Sequence, residues 1–414
     1  MAIKNRPEFE KFIDRVEKSS DEFRASSREK RHSKQYRTAR ENLNHLVDAE
    51  SFLEFGQFAV AAQRSRRDYE ELQDKTNADG IITGFCSINS KLVGPKSSQA
   101  VAIVYDYSVL AGTQGAFHHL KLDRICDQAK KFELPIIIFT EGGGGRPGDT
   151  DVLTQIAGLH IPSFSSWAQL TGSSLKIAVN NGYCFAGNAA LFGCSDFRIA
   201  TKTSWIGMAG PAMIEGGGLG VFEPTDIGPV SVHEKNGVVD YVATNEEEAT
   251  LIAKKVLSDF QGSIEDFAVG DQEILQNIMP EDRRYTYEIR DIINTVSDQD
   301  SFLELRKKYG ASIVTGFIRI EGKPFALLAS DCQKLGGAID SESAEKAADF
   351  ISICNDHALP ILVLADTPGF MVGPASEELG AVRRMASLFK QGANIKVPLV
   401  AVFLRLHIQE ERGS

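Results

Sequence analysis

Several features are missing from this sequence, and each absence removes a class of function. No apolar run reaches the ~18–20 residues a membrane-spanning helix needs, so no membrane association is predicted. The N-terminus, MAIKNRPEFEKF, has no apolar signal core. Six cysteines stand at 86, 126, 184, 194, 332 and 354, and none forms a Cys-x-x-Cys pair. That spacing argues against a zinc site, and no metal is expected. Reduced thiols and a cytoplasmic setting follow from the same reading. Basic residues are in deficit: 45 Lys and Arg against 56 Asp and Glu give a net charge of −11. A general nucleic-acid binder is thereby disfavoured. GFIRIEGKP lacks the spacing and hydroxyl residue of a phosphate-binding P-loop, and no Gly-x-Ser-x-Gly nucleophile elbow occurs. The chain has 414 residues, 43% hydrophobic and 24% charged, which suits a globular protein of two or three domains.

The first 78 residues differ from the rest. Residues 1–40 hold 12 Lys and Arg against 7 Asp and Glu, with no glycine. Phe9, Phe12, Ile13 and Val16 recur at helical spacing, and a second helix is predicted over EFGQFAVAAQRSRRDYEELQDK. The basic run at Arg64, Arg66 and Arg67 is either a solvated helix face or a patch for an anionic ligand.

An internal repeat organises the remainder of the chain. IITGFCSI (81–88) returns as IVTGFIRI (313–320), VLAGTQGA (109–116) as KLGGAIDS (334–341), and FELPIIIFTEGGG (132–144) as HALPILVLADTPG (357–369). The spacing from Gly112 to Pro135 is 23 residues, and so is that from Gly337 to Pro360. At the same offset Lys121 falls on Lys346. Strands alternate with helices in each copy, and LPIIIFT and LPILVLAD are apolar on both faces, as central strands of a helix-covered sheet are. A duplicated α/β domain with a largely parallel sheet is predicted. Its parts are a helical segment (1–78), a first domain (79–300) and a second (301–414).

The run EGGGGRPGD poses the chemical question. Gly143-x-Gly145-x-x-Gly148 follows a strand, as a dinucleotide fingerprint does. The acidic residue that binds ribose belongs about 20 positions on, yet no Asp or Glu occurs between 152 and 195. The second glycine turn, NGYCFAGNAALFGCSD, leads into a helix of small residues. A helix start facing another glycine turn offers unpaired N–H groups, which suit a thioester carbonyl becoming an enolate. The alternative is that these glycines only permit tight packing.

On these segments, together with VTGFIRIEGKPFALLASD, GGAIDSESAEKAADFISICN and LPILVLADTPGFMVGPASEELGAVRRMASLF, the chain resembles the carboxyltransferase component of biotin-dependent acyl-CoA carboxylases. The MVGP form resembles the long-chain or multi-domain type. The resemblance implies two tandem crotonase-like domains and transfer of CO2 from carboxybiotin to the α-carbon of an acyl-CoA. It implies as partners the acyl-CoA, a biotin carboxyl carrier protein, a biotin carboxylase and further copies of the chain. It places the acyl-side oxyanion donors at Gly187 and Asn188, with Gly143 and Gly144 beside them. Where the family has Gly-Gly this chain has Gly187-Asn188, and the added bulk bears on acyl size. Substrate contacts are expected from Arg64, Arg67, Arg146, Gly112 and Ala186, although for Arg146 loop ordering is the first reading and phosphate contact its rival. The biotin side falls at Gly337, Gly369 and Phe370. His118 and His119 read as solvated or core histidines, with one lining the site as the rival reading; Cys184 and Cys194 read as packing residues, and 212–224 as a glycine-rich loop near the substrate.

One departure stands out. The resemblance implies a glycine-rich turn after VPLVAVFLR, where this sequence reads LHIQEERGS. The expectation is an incomplete second domain with exposed apolar surface. The rival to a working carboxyltransferase is a member that binds CoA or caps an assembly without turnover.

Overall fold

The computed structural model describes residues 6–152, 161–282 and 284–405. The chain divides into two compact units, one drawn from residues 1–232 and 242–255, the other from 233–241 and 256–414. The second unit therefore starts well before the expected boundary at 301. The cause is packing: Tyr287, Ile289, Ile292 and Ile293 share one buried cluster with Val314, Ile318 and Leu327.

Among the described residues nine strands lie between 53 and 243: β1 (Leu53–Phe55), β2 (Ile81–Ser87), β3 (Gln99–Tyr105), β4 (Ile136–Phe139), β5 (Lys176–Asn180), β6 (Tyr183–Phe185), β7 (Phe197–Thr201), β8 (Trp205–Gly207) and β9 (Tyr241–Ala243). Seven form one sheet in the order β1-β2-β3-β4-β5-β7-β9, and β6 pairs with β8. The sheet is mixed rather than largely parallel. β1, β2 and β3 are antiparallel, and pairing from β3 through β7 is parallel. The link between β2 and β3 is too short for the crossover that parallel neighbours require. The link from β3 to β4 carries the helix Ala116–Phe132 and is long enough. That helix starts where Asp149 accepts from the Ala116 N–H and Asp79 from the His118 N–H. Carboxylates there satisfy donors that the first turn leaves open.

The second unit holds β10 (Leu303–Leu305), β11 (Ile313–Ile320), β12 (Lys323–Ser330), β13 (Ile361–Ala365) and β14 (Leu399–Phe403), in that order across one sheet. Its register copies the first. Leu303, Glu304 and Leu305 pair with Phe317, Gly316 and Thr315, as Leu53, Glu54 and Phe55 pair with Phe85, Gly84 and Thr83. The matched lysines also repeat. Lys121 Nζ donates to the carbonyls of Ala78 and Ile81, and Lys346 Nζ to those of Arg306, Gly310 and Ile313. The sequence repeat is thus a repeat of structure.

Near the N-terminus one expected helix forms and one does not. The helix Pro7–Glu17 forms, but none of its side chains is buried. The long helix predicted over 54–75 is instead strand β1, an irregular stretch and the short helix Tyr69–Lys75. Gly56 breaks it with φ +67°, where a Cβ would strike the Lys121 side chain. The last nine residues, set apart in the sequence, lie outside the described residues; β14 just before them is exposed along its length.

Candidate active site

Three short segments of the first unit meet at the end of β4. They are the turn Leu110–Gln114, the loop Gly142–Arg146 and the bend Ala186–Asn188. Backbone bonds tie the first two together: Gly143 N–H donates to Ala111 O (3.0 Å), Gln114 N–H to Gly144 O (2.7 Å) and Arg146 N–H to Gln114 O (2.9 Å). Gly142 N–H donates to Tyr183 O (2.7 Å) and Phe185 N–H to Gly142 O (3.0 Å), which docks β6 on the loop. Gly112 has φ +61°, and a Cβ there would overlap Glu141 O; a Cβ on Gly187 would overlap Gln114 Oε1. These glycines let three backbones approach closely.

The amides left over are few. Among the described residues no acceptor takes the N–H of Ala111, Gly145, Gly187 or Asn188. Ala111 and Ala186 hold left-handed φ values of 56° and 51°, an unfavourable conformation for non-glycine residues that clusters at functional sites. The Gly187 and Asn188 amides are therefore open to a further acceptor. Those of Gly143 and Gly144 are not. Gly143 gives its proton to Ala111 O, and Gly144 to Asn188 Oδ1 at 3.0 Å. Their part is to shape the loop.

Asn188 departs from its expectation in the same way. Its side chain is buried, with Nδ2 donating to Thr140 O (3.1 Å) and Oδ1 accepting from Gly144. The extra bulk is turned into the protein, where it fastens the glycine loop.

Arg146 orders the loop. It is 8% exposed. Its guanidinium pairs with Asp79 (2.5 Å) and Asp149 (3.4 Å), and donates to Thr113 O (2.8 Å). Gly112 donates its amide to Val109 O and serves packing. Ala186 is half-buried, with its N–H given to Gly207 O. Arg64 is exposed and lies over the Tyr69 ring at 4.5 Å, and Arg67 pairs with Glu71 at 2.7 Å. Neither lines the three-segment site.

The second unit repeats the pattern. Gly337, with φ +82°, donates to Lys334 O, and a Cβ on it would overlap Asp366 O. Gly369 donates to Thr367 Oγ1 (3.1 Å). Neither amide is available as a donor. Those without an acceptor among the described residues are Gly336 and Phe370, at the positions matching Ala111 and Gly145. Ile339 bridges Phe370 just as Gln114 bridges Gly145. The Phe370 ring stacks against Phe389 at 5.3 Å.

Sequence reading missed the charge behind the loop. Arg31 makes two bonds to the buried Glu141 carboxylate (2.9 and 2.7 Å), and Gly182 leaves room for it. Burial pushes the Glu141 carboxyl up, against the Arg31 charge. The Arg31 guanidinium lies 4.8 Å from the Tyr36 ring and 5.7 Å from that of Tyr107. A 440 Å³ cavity opens here, lined by Lys30, Lys34, Tyr36, Tyr107, Ala111 and Tyr183 among others. Among the described residues, neither histidine beside the site is placed as a base. His118 is buried with Nδ1 3.2 Å from Asp79 O, and burial holds its ring well below the usual range. His119 lies 2.9 Å from Ser163 Oγ, with its ring lowered to about 4 by burial. Cys184 is buried as expected, whereas Cys194 is exposed.

Comparisons with known proteins agree with this geometry. Residues 30–414 match the carboxyl transferase domain family. The chain is 30% identical over 388 residues to the methylmalonyl-CoA carboxyltransferase 12S subunit of Propionibacterium freudenreichii subsp. shermanii, covering 91% of this chain and 71% of that one. It is 29% identical over 398 residues to the propionyl-CoA carboxylase beta chain of Saccharopolyspora erythraea, covering 91% and 70%. Among solved structures, a single-chain, multi-domain long-chain acyl-CoA carboxylase superimposes with a TM-score of 0.93 at 46% identity. That match spans 97% of this chain and 41% of the longer one. The hexameric transcarboxylase 12S with methylmalonyl-CoA bound gives a TM-score of 0.82 at 27% identity, over 97% of this chain and 79% of that one. The duplicated α/β units and the family match place this chain in the carboxyl transferase domain family, among the carboxyltransferases that act on acyl-CoA.

Proposed function

We propose that the first unit binds the acyl-CoA and polarises its thioester, and that the second receives carboxybiotin from a carrier protein. The observation that carries the reading is the set of unclaimed amides at Ala111, Gly145, Gly187 and Asn188 on three interlocked segments. Fixed N–H groups aimed where negative charge develops are a large source of rate enhancement, because they need no reorganisation during reaction. The cationic cavity at Lys30 and Lys34, which reaches Ala111, suits the phosphates of CoA. Arg31 is held by Glu141, so the two lysines are the groups offered to phosphate.

The group held by the second unit is supported by Gly369. It stands half-buried, with no atom within 4 Å of an added Cβ, beside the unclaimed Phe370 amide. Gly336, equally open, sits at the position matching Ala111. These residues fit a flat, polar ring system. Carboxybiotin, when bound, supplies the CO2 and a ureido nitrogen that takes the α-proton. The chain's own task is then to hold the enolate oxygen and to exclude acids that would protonate the enolate wastefully. The sequestered His118, His119 and Glu141 accord with that. The hexameric 12S relative supports a homo-oligomer, and the biotin-dependent relatives support partnership with a biotin carboxylase and carrier.

The test is transfer in reverse. Purified chain is incubated with labelled methylmalonyl-CoA or malonyl-CoA and biocytin. Label moved to biocytin supports the reading. Thioester binding without any transfer would leave only a CoA-binding role.

A further inference from the structure

A second cavity, of about 650 Å³, opens on the other side of the same three-segment site. Gln114 and Gly145, two residues of the site itself, line one end of it. Away from them the wall is apolar: Phe117 and Leu120 from the helix Ala116–Phe132, with Val152, Ile161 and Pro162 opposite. Phe117 and Leu120 are 37% and 62% exposed, although they belong to a helix whose other face is packed. Apolar side chains left open beside a site mark a binding surface more often than chance exposure does.

Most polar groups around the cavity are committed: Arg146 and Asp149 pair with each other, and His119 is bonded to Ser163. Asp123 keeps one buried carboxylate oxygen without a partner, and burial pushes its carboxyl up, toward the neutral form. The rest of the wall favours an apolar ligand. The volume falls in the ~300–1,000 Å³ range of pockets that enclose an entire small ligand. An acetyl or propionyl group would leave most of it empty.

The cationic cavity meets Ala111 and the apolar one meets Gln114 and Gly145, so the turn Leu110–Gln114 stands between them. From this arrangement we infer that the 650 Å³ cavity receives the alkyl tail of a medium- or long-chain acyl-CoA. The thioester crosses the unclaimed amides, and the tail runs along Phe117 and Leu120. This inference rests on the proposed acyl-CoA site and adds the length of its substrate.

Titration calorimetry of the whole chain with CoA, propionyl-CoA and octanoyl-CoA tests it. Each buried methylene adds to affinity, so octanoyl-CoA is expected to bind at least tenfold more tightly than propionyl-CoA. Leu120→Asp places a charge on the exposed wall. It is expected to weaken octanoyl-CoA at least fivefold more than propionyl-CoA, and Phe117→Ala to do so to a smaller degree. Equal affinity for the two thioesters on the unaltered chain overturns the inference and leaves the CoA site standing. Failure of every thioester to bind overturns the acyl-CoA proposal itself.

Discussion

Asn188 shows how one side chain turns a flexible loop into a fixed one. It spans Thr140 O and the Gly144 amide, both buried, so its loss orphans a donor and an acceptor at once. Asn188→Ala is expected to cost about 1–3 kcal/mol of stability. Denaturant midpoints at unchanged slope measure this, and the same variant should lose transfer rate more than thioester affinity. A second residue predicts a pH effect. Glu246 is buried, accepting from Asn42 Nδ2 (2.8 Å) and Arg37 N–H (3.1 Å), and burial raises its carboxyl to about 7. The folded pKa lies above the unfolded value of 4.5, so the folded state binds more protons between those limits. Stability at this group is fully present below pH 4.5 and lost as pH rises through 7, by about 2–3 kcal/mol. Glu246→Gln should flatten that slope and raise the unfolding midpoint at about pH 8. A slope unchanged by the substitution would show that another group carries it.

At the scale of elements, the repeated turns separate glycines needed for shape from those that only leave space. Gly112 and Gly337 have left-handed φ and face the carbonyls of Glu141 and Asp366 at van der Waals overlap. Gly112→Ala and Gly337→Ala should each cost about 2–4 kcal/mol through backbone strain and forced displacement. Gly145 has ordinary φ and open space around it, so Gly145→Ala should change stability by less than about 0.5 kcal/mol. Equal losses at all three positions would contradict the distinction. The same turns explain what the sequence revealed. The 23-residue spacing and the Lys121–Lys346 match were visible because each copy must close the same sheet with the same helix. The available amides were not. Whether an N–H is free depends on its neighbours' conformation. The resemblance indicated Gly143, Gly144, Gly337, Gly369 and Phe370; of these Phe370 keeps its amide open, and further open amides fall at Ala111, Gly145 and Gly336. Arg31 and Glu141 are 110 residues apart, and no local pattern joins them. The helix expected at 54–75 failed because Gly56 takes a conformation that the apolar spacing does not report.

On the scale of the whole molecule, the second unit presents an apolar surface that its own fold does not cover. The helix Ala381–Ala393 buries Ala381 and Met385 on one side, yet leaves Val382 and Phe389 at 75% and 67% exposure on the other. Val372, Leu379 and the strand residues Val400 and Phe403 are also exposed. Exposed apolar side chains in this number on an acidic chain suit an interaction face, and the proposed homo-oligomer supplies an occupant. Light scattering at micromolar concentration should give a mass that is a multiple of 45.3 kDa. Val382→Glu with Phe389→Glu should shift it toward the single chain, because a charge buried without a partner opposes association. The thermal midpoint should become independent of protein concentration in the same variant. A single-chain mass for the unaltered protein would show that these side chains face water for another reason, and the acyl-CoA site would then have to work without a second copy.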